Sequence, residues 1–336
     1  MTTVAEASRS AGASAIEALS RRHRLRLSEA LPWVIALACF FAFPGYLALG
    51  THILISILFA LSLDLILGYG GIVTLGQTAF FGAGAYTAGI LAVHGWTEPL
   101  TGLLAAGAVA ALLGVVTGLI LLRTEGLTLL MLTLVVAEMI REGANKADRW
   151  TGGADGLQGV SIAPILGLFR FDLYRRTSYF YALAVLFLAW LVVRAIVHSP
   201  FGRSLTGIRE SITRMHAIGS PVLRRLVTAY AIAAALSGIA GALLAQTEQF
   251  VSLEVLSFAR SGAVVIMLIL GGAGRLYGAF VGVPLYMLAQ DQLAEQFPIY
   301  WSTGLGLLLI AVALGARGGV LDVWDAALGW LRRSHR

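Results

Sequence analysis

Cys39 and Lys146 are the single cysteine and single lysine in 336 residues, and charged side chains make up only 12% of the chain. A lone thiol excludes an intrachain disulfide and a metal cluster built from several cysteines. Cys39 follows Leu37-Ala38 in a faint echo of a lipoprotein cleavage site. Apolar sequence continues past it and a long tail precedes it, so a small core residue is the better reading. Soluble domains carry about 25% charged residues, so a soluble fold is excluded. Catalytic constellations are missing as well. The six histidines show no HExxH-type spacing, and none sits beside a nucleophile in an elbow motif. There is no GxxxxGK[ST] phosphate loop, so any nucleotide must bind a partner chain. The chain is read as a non-enzyme, with no catalytic residues, no metal site and no cofactor of its own.

What is present is apolar surface: 58% of the residues are hydrophobic. Stretches able to cross roughly 30 Å of hydrocarbon recur along the chain. They predict an all-α polytopic membrane protein of about ten transmembrane helices. The candidate spans are Leu31–Leu49, His52–Leu67, Thr74–Val93, Leu100–Leu122, Leu127–Ile140, Ser178–Val197, Leu226–Ala245, Phe258–Leu270, Leu276–Gln290 and Tyr300–Leu314. The third and ninth are candidates for partly re-entrant segments. Residues 1–30 read as a basic cytoplasmic tail with no secretory signal, 31–316 as the transmembrane domain and 317–336 as a cytoplasmic C-terminal tail. Within the domain, 141–177 is an extracytoplasmic loop with room for a short surface helix, and 198–225 is a cytoplasmic loop.

The net charge of +6 is almost wholly arginine. A soluble basic protein would suggest nucleic acid, but these arginines sit in loops and tails, so topology and membrane lipid explain them and no nucleic acid is expected. With the N-terminus inside, 17 of the 24 Lys/Arg residues fall inside. That bias supports cytoplasmic N- and C-termini. Six of the exceptions lie between Arg141 and Thr177; the seventh is Arg260. Trp33, Trp96, Trp150 and Trp301 fall near span ends, as interfacial anchors should.

One segment does more than span. Leu65–Tyr86 holds Gly68, Gly70, Gly71, Gly76, Gly82 and Gly84 around Gln77 and Thr78. Each glycine weakens a helix by roughly 1 kcal/mol against alanine, and broken backbone at membrane depth survives only where protein or a water path covers it. The segment therefore predicts a hinge or path element, with Gln77 its best polar contact. An echo follows: Leu65-Ile66-Leu67-Gly68 matches Leu268-Ile269-Leu270-Gly271, and Ala79-Phe80, Gly82 and Tyr86 match Ala279-Phe280, Gly282 and Tyr286. It is a candidate internal repeat whose two copies point the same way, with chance in a Gly/Ala/Leu-rich chain as the alternative. Charges inside spans default to function. Asp64 sits near the inner end of the second span, Glu138 at the outer end of the fifth and Asp291 near the outer end of the ninth. The bland alternative for each is an interfacial or helix-pairing carboxylate.

The segment His198–Arg225 reads differently. Ser199-Pro200 ends a span, and Leu205, Ile208, Ile212 and Met215 recur at helical spacing with Arg203, Arg209, Glu210 and Arg214 mostly off that stripe. One amphipathic helix of about three turns is expected, ended by Gly219-Ser220-Pro221. It is either a headgroup-bound surface helix or a docking helix gripped by a motor protein.

Four blocks carry a family resemblance running from about Leu63 to Val320. They are LDLILGYGGIVTLGQTAFFGAGAYTA, RTEGLTLLMLTLVVAEMI followed by TGGADGLQGV, SPFGRSLTGIRES with AIGSPVLRRL, and LGGAGRLYGAFVG. Each is weak alone; four in order resemble a permease of the branched-chain amino acid ABC transporter family, closest to its LivM type. The resemblance implies a subunit of an ATP-driven importer in a bacterial inner (plasma) membrane. It implies a second, LivH-like permease, two ATPase subunits binding ATP-Mg, and a periplasmic substrate-binding protein. It makes Arg203, Arg209, Glu210 and Arg214 coupling candidates. Gly68, Gly70, Gly71, Gln77, Gly82, Gly271, Gly272 and Gly274 become path or hinge candidates. Departures include Asp64 where the family usually has Asn, and Ala263 where a Glu is frequent, beside an unpaired-looking Arg260. The cargo implied is a branched-chain or related amino acid, with urea, amides or aromatic and organic acids as alternatives. An ion-coupled secondary carrier would need Asp64 or Glu138 in its path, and a structural scaffold would leave the docking helix unexplained.

Overall fold

The computed structural model describes residues 31–164, 176–298, 300, 302–307, 310 and 319–320. The expected N-terminal tail, most of the C-terminal tail, residues 165–175 of the long loop and much of the tenth span lie outside these. Among the described residues the chain is helical, with one isolated bridge between Leu157 and Val251. Four helices are long and apolar enough to cross a membrane, within Pro44–Tyr69, Pro99–Leu121, Arg176–His198 and Val222–Glu248.

Helix α1 (Leu31–Ala42) belongs to a first compact unit that ends at Gly45. The first expected span is broken where the sequence reading had continued it. Proline lacks an N–H and disfavours helix in the residue before it, so Pro44 stops α1 and the chain takes a short 3-10 turn, Pro44–Tyr46. Helix α2 (Leu47–Asp64) then runs through Gly50, against which Tyr179 packs.

The second unit begins at Tyr46. It contains α2, α3 (Gln77–Val93), α4 (Pro99–Leu121), α5 (Gly126–Lys146), α6 (Arg176–His198), α7 (Pro200–Glu210), α8 (Ile212–Ala217), α9 (Val222–Glu248), α10 (Phe258–Gly271) and α11 (Gly278–Gln296). Helix α9 is the central pillar, flanked by α2, α3 and α4. Small residues let these backbones meet. A Cβ on Gly84 would strike the Gly238 backbone, one on Gly241 the Phe81 backbone, and one on Gly114 the Ala234 side chain. Close approach replaces a hydrophobic driving force that lipid cannot supply.

The pairings fix direction. Gln77 meets Ala233 while Phe81 meets Gly241, so α3 and α9 run the same way. Gly102 meets Gln246 while Gly118 meets Tyr230, so α4 opposes them. Tyr181 donates to Gln246 at 2.8 Å, Gln246 donates to the Pro99 carbonyl at 2.8 Å, and His52 lies 3.0 Å from Glu248. These contacts gather α2, α4, α6 and α9 at one end of the bundle, the Glu248 end. The opposite end holds Gly68 and the start of α9.

At the Gly68 end α2 widens into a π turn, Leu65–Tyr69. Gly71, at φ +72°, lets the Ile72 N–H return 3.1 Å to the Ile66 carbonyl. This is the glycine-dependent helix stop in which a residue beyond the left-handed glycine closes on the last turn. Residues 70–76 are then unwound, and α3 starts at Gln77 rather than at Thr74. Because Gln77 bonds Ser62, α3 begins well inside the bundle.

The echo copy shows the same order of parts. Helix α10 runs toward the Gly68 end, a turn with Gly272 at φ +106° and Gly274 at φ +80° follows, and α11 leaves. The two copies therefore point the same way.

Candidate functional site

The two glycine turns meet backbone to backbone. A Cβ on Gly68 would collide with the Asp64 carboxylate and the Gly274 backbone. Only glycine permits that approach, and the Gly274 N–H donates to Asp64 Oδ1 at 2.7 Å. Asp64 is 1% exposed and its Oδ2 is enclosed with no hydrogen-bond partner. The sequence reading placed Asp64 near a span end as an intramembrane charge. Its contact with a turn 210 residues later follows only from packing.

Arg209 joins this node from outside the bundle core. Its guanidinium donates to the Gly68 carbonyl, one of the acceptors a helix end leaves without an intrahelical partner. Gly71 packs on the Arg209 stem, where a Cβ would come within 2.7 Å of Cγ. Helix α7 is thereby tied to the end of α2 and to the α10–α11 turn together.

The segment carrying Arg209 differs from expectation. It is two helices rather than one. Ser199 caps α7, its Oγ accepting the Gly202 N–H at 3.3 Å, with Pro200 at the first helical position. Ser211 adopts an extended conformation, φ −163° and ψ 105°, and caps α8 by accepting the Arg214 N–H at 3.3 Å. A second serine cap inside the amphipathic run breaks the helix, because its hydroxyl offers the backbone a competing partner. The expected stripe survives the break: Leu205 and Ile208 are buried, and Ile212 and Met215 pack partly against the same cluster. Arg203, Glu210 and Arg214 are exposed and make no ion pair among the described residues.

Between these helices, the unwound segment and the α4–α5 loop lies an open cleft of about 690 Å³. Gly70, Gly71, Val73, Glu125, Arg209 and His216 are among its lining residues.

The remaining candidates sit elsewhere. Gln77 is fully enclosed and braces three helices. Its Nε2 donates to Ser62 Oγ at 3.3 Å and to the Ala233 carbonyl at 3.2 Å, and its backbone carbonyl accepts from Ser237 at 3.1 Å. Gly82 makes room for Leu256. Gly271 and Gly282 let α10 and α11 pack tightly, and Gly272 turns the chain between them. Glu138 is exposed on α5 and pairs with Arg141 at 2.6 Å, away from the glycine turns. Among the described residues no group of three His, Cys, Asp or Glu side chains is placed to hold a metal ion.

Arg260 differs from expectation. The topology put it outside. In the structure its guanidinium lies over the Phe81 ring, 5.3 Å from the centroid, and Phe81 packs on Phe59 at 4.6 Å. Phe59 lies well inside the span Pro44–Tyr69, so Arg260 is level with the interior of the bundle. The cause is the unwound approach to α10. A 3-10 turn, Leu253–Leu256, carries the chain inward before the helix starts at Phe258.

The family described as branched-chain amino acid transport system permease component matches residues 45–314. The chain is 28% identical over 331 residues to the high-affinity branched-chain amino acid transport system permease protein LivM of Salmonella typhimurium, covering 92% of this chain and 77% of that protein. It is 28% identical over 305 residues to the Escherichia coli protein of the same name, covering 83% and 70%. A probable LivM permease of Methanocaldococcus jannaschii is 30% identical over 141 residues, covering 40% of this chain and 39% of that one. No solved structure matches. The family match runs from the start of α2 past the end of α11, through both glycine turns and the α7–α8 segment, and this chain belongs to the permease components of branched-chain amino acid transport systems.

Proposed function

We propose that this chain is the membrane-spanning permease subunit of an ATP-driven importer for branched-chain or closely related amino acids. It works with a second, LivH-like permease, two ATPase subunits and an extracytoplasmic binding protein, in a bacterial inner membrane. The Gly68 end faces the cytoplasm, consistent with the arginine bias of its loops.

The observation that carries the reading is the tie between Arg209 and the Gly68 carbonyl. An amphipathic helix with an exposed charged edge is what a motor subunit can grip. That helix is fastened directly to the glycine turns, where α2 ends and the second copy's hairpin docks. Movement of α7 by ATP-driven closure is passed to two hinges at once, which is a mechanical route between two packed arrangements of the spans. Arg203, Glu210 and Arg214 form the outward edge, and Arg209 is the inward strut.

In the assembled transporter, replacing Arg209 and Glu210 by Gln lowers uptake per ATP hydrolysed by about tenfold, a loss of roughly 1.4 kcal/mol of coupling. The check is simultaneous measurement of ATP hydrolysis and uptake in proteoliposomes. Unchanged stoichiometry in the double variant would remove α7 from the coupling route.

A further inference from the structure

We infer that Arg260 is a way-station for the carboxylate of the cargo on its path through the bundle. The inference rests on the importer reading above and adds to it a recognition site for an anionic group.

Phe59 lies about 22 Å from Pro44 and about 15 Å from Tyr69 at roughly 1.5 Å per residue, so the Arg260 guanidinium beside Phe81 is far from both ends of the bundle. It makes no ion pair among the described residues. Glu254, six residues earlier in the Leu253–Leu256 turn, lies beyond ion-pair distance. A charge held at membrane depth without a partner is costly, and it marks a substrate or ion route far more readily than a structural brace. Among the described residues the guanidinium has the cation–π contact with Phe81 and no hydrogen-bond acceptor. Five donors in a rigid fork match a carboxylate in a bidentate pair.

The surroundings add to this field. Helices α3 and α10 both begin inside the bundle, and their first turns meet: Thr78 Oγ1 lies 3.4 Å from Ser261 Oγ, and Ser261 also donates to the Leu75 carbonyl. Two helix N-termini, each the positive end of its dipole, therefore converge beside Arg260. Interrupted helices presenting their N-termini at depth are a geometry suited to an anionic group. Arg260 itself is half-buried rather than enclosed.

The test uses the complete transporter in proteoliposomes, with L-leucine as the probe cargo. In a C39S background, R260C should react with the water-soluble anion sulfonatoethyl methanethiosulfonate about tenfold faster than V264C, a buried position one turn along α10. Arg260→Gln should lower leucine uptake per ATP hydrolysed about tenfold with ATP hydrolysis held within about twofold, and Arg260→Lys should restore part of it. If R260C is inert to the reagent, the side chain is covered by lipid or by the second permease and the inference falls. It also falls if Arg260→Gln moves leucine normally, or if Arg260→Gln and Arg260→Lys both abolish assembly. Failure of the wild-type assembly to move leucine at all would count against the importer reading, while the labelling rates would still decide whether Arg260 faces water.

Discussion

Gly241 and Gly262 separate two meanings of one residue type. A Cβ at Gly241 would run into the Phe81 backbone, whereas one at Gly262 meets nothing within 4 Å. Gly241→Ala should destabilise the folded chain by about 1–3 kcal/mol, the usual scale of overpacking, and lower its detergent unfolding temperature. Gly262→Ala should be neutral or stabilise by about 0.5–1 kcal/mol, because only the helix term changes. Gln77 belongs at this scale too. Its amide spans α2 and α9 and its carbonyl receives Ser237, so it acts first as a brace between helices. Gln77→Leu keeps the volume and loses the side-chain bonds. A loss of about 1–3 kcal/mol is expected, read as a shift in the same unfolding measurement.

Elements show where local chemistry outranks periodicity. The apolar stripe from Leu205 to Met215 is real in the structure, yet Ser211 divides it into α7 and α8. Ser211→Ala should weaken the α8 cap by about 1 kcal/mol, which corresponds to roughly fivefold faster amide hydrogen exchange over residues 212–217. Pro44 acts in the same way at the first expected span, replacing one long segment by α1, a 3-10 turn and α2. Most other expected spans fall on helices, with ends up to about six residues apart. Phe258–Leu270 was expected and α10 is Phe258–Gly271; Ser178–Val197 was expected and α6 is Arg176–His198. Long apolar runs bounded by proline, glycine or charge leave little choice of boundary. The start of α3 was less legible, because residues 70–76 are apolar enough to read as span and are held unwound by distant partners. The Leu75 N–H reaches Thr133, and Gly76 lies against the Thr133 backbone.

At the scale of the molecule, α9 runs through a seam of small residues and the two helix–turn–helix copies dock by their glycine turns at the Gly68 end. Val73 in the unwound segment is 48% exposed. It lines the open cleft at the Gly68 end beside Arg209, Glu210 and His216. This chain alone, purified into liposomes, should neither hydrolyse ATP nor accumulate leucine; both activities should emerge when the ATPase subunits, a second permease and a loaded binding protein are added. Robust uptake by the isolated chain without ATP would overturn the subunit reading. The sequence by itself determined the solvent, the class of fold, most helix boundaries and the family, because these depend on local hydrophobicity, on breakers and on ordered motifs. The tertiary structure alone decided that Asp64 binds the Gly274 amide, that Arg209 reaches the Gly68 carbonyl, that Gln77 bonds across to α2 and α9, and that Arg260 lies inside the bundle. Each of these contacts joins residues far apart in the chain. The depth at which a helix begins is likewise set by what its neighbours leave room for, not by its own composition.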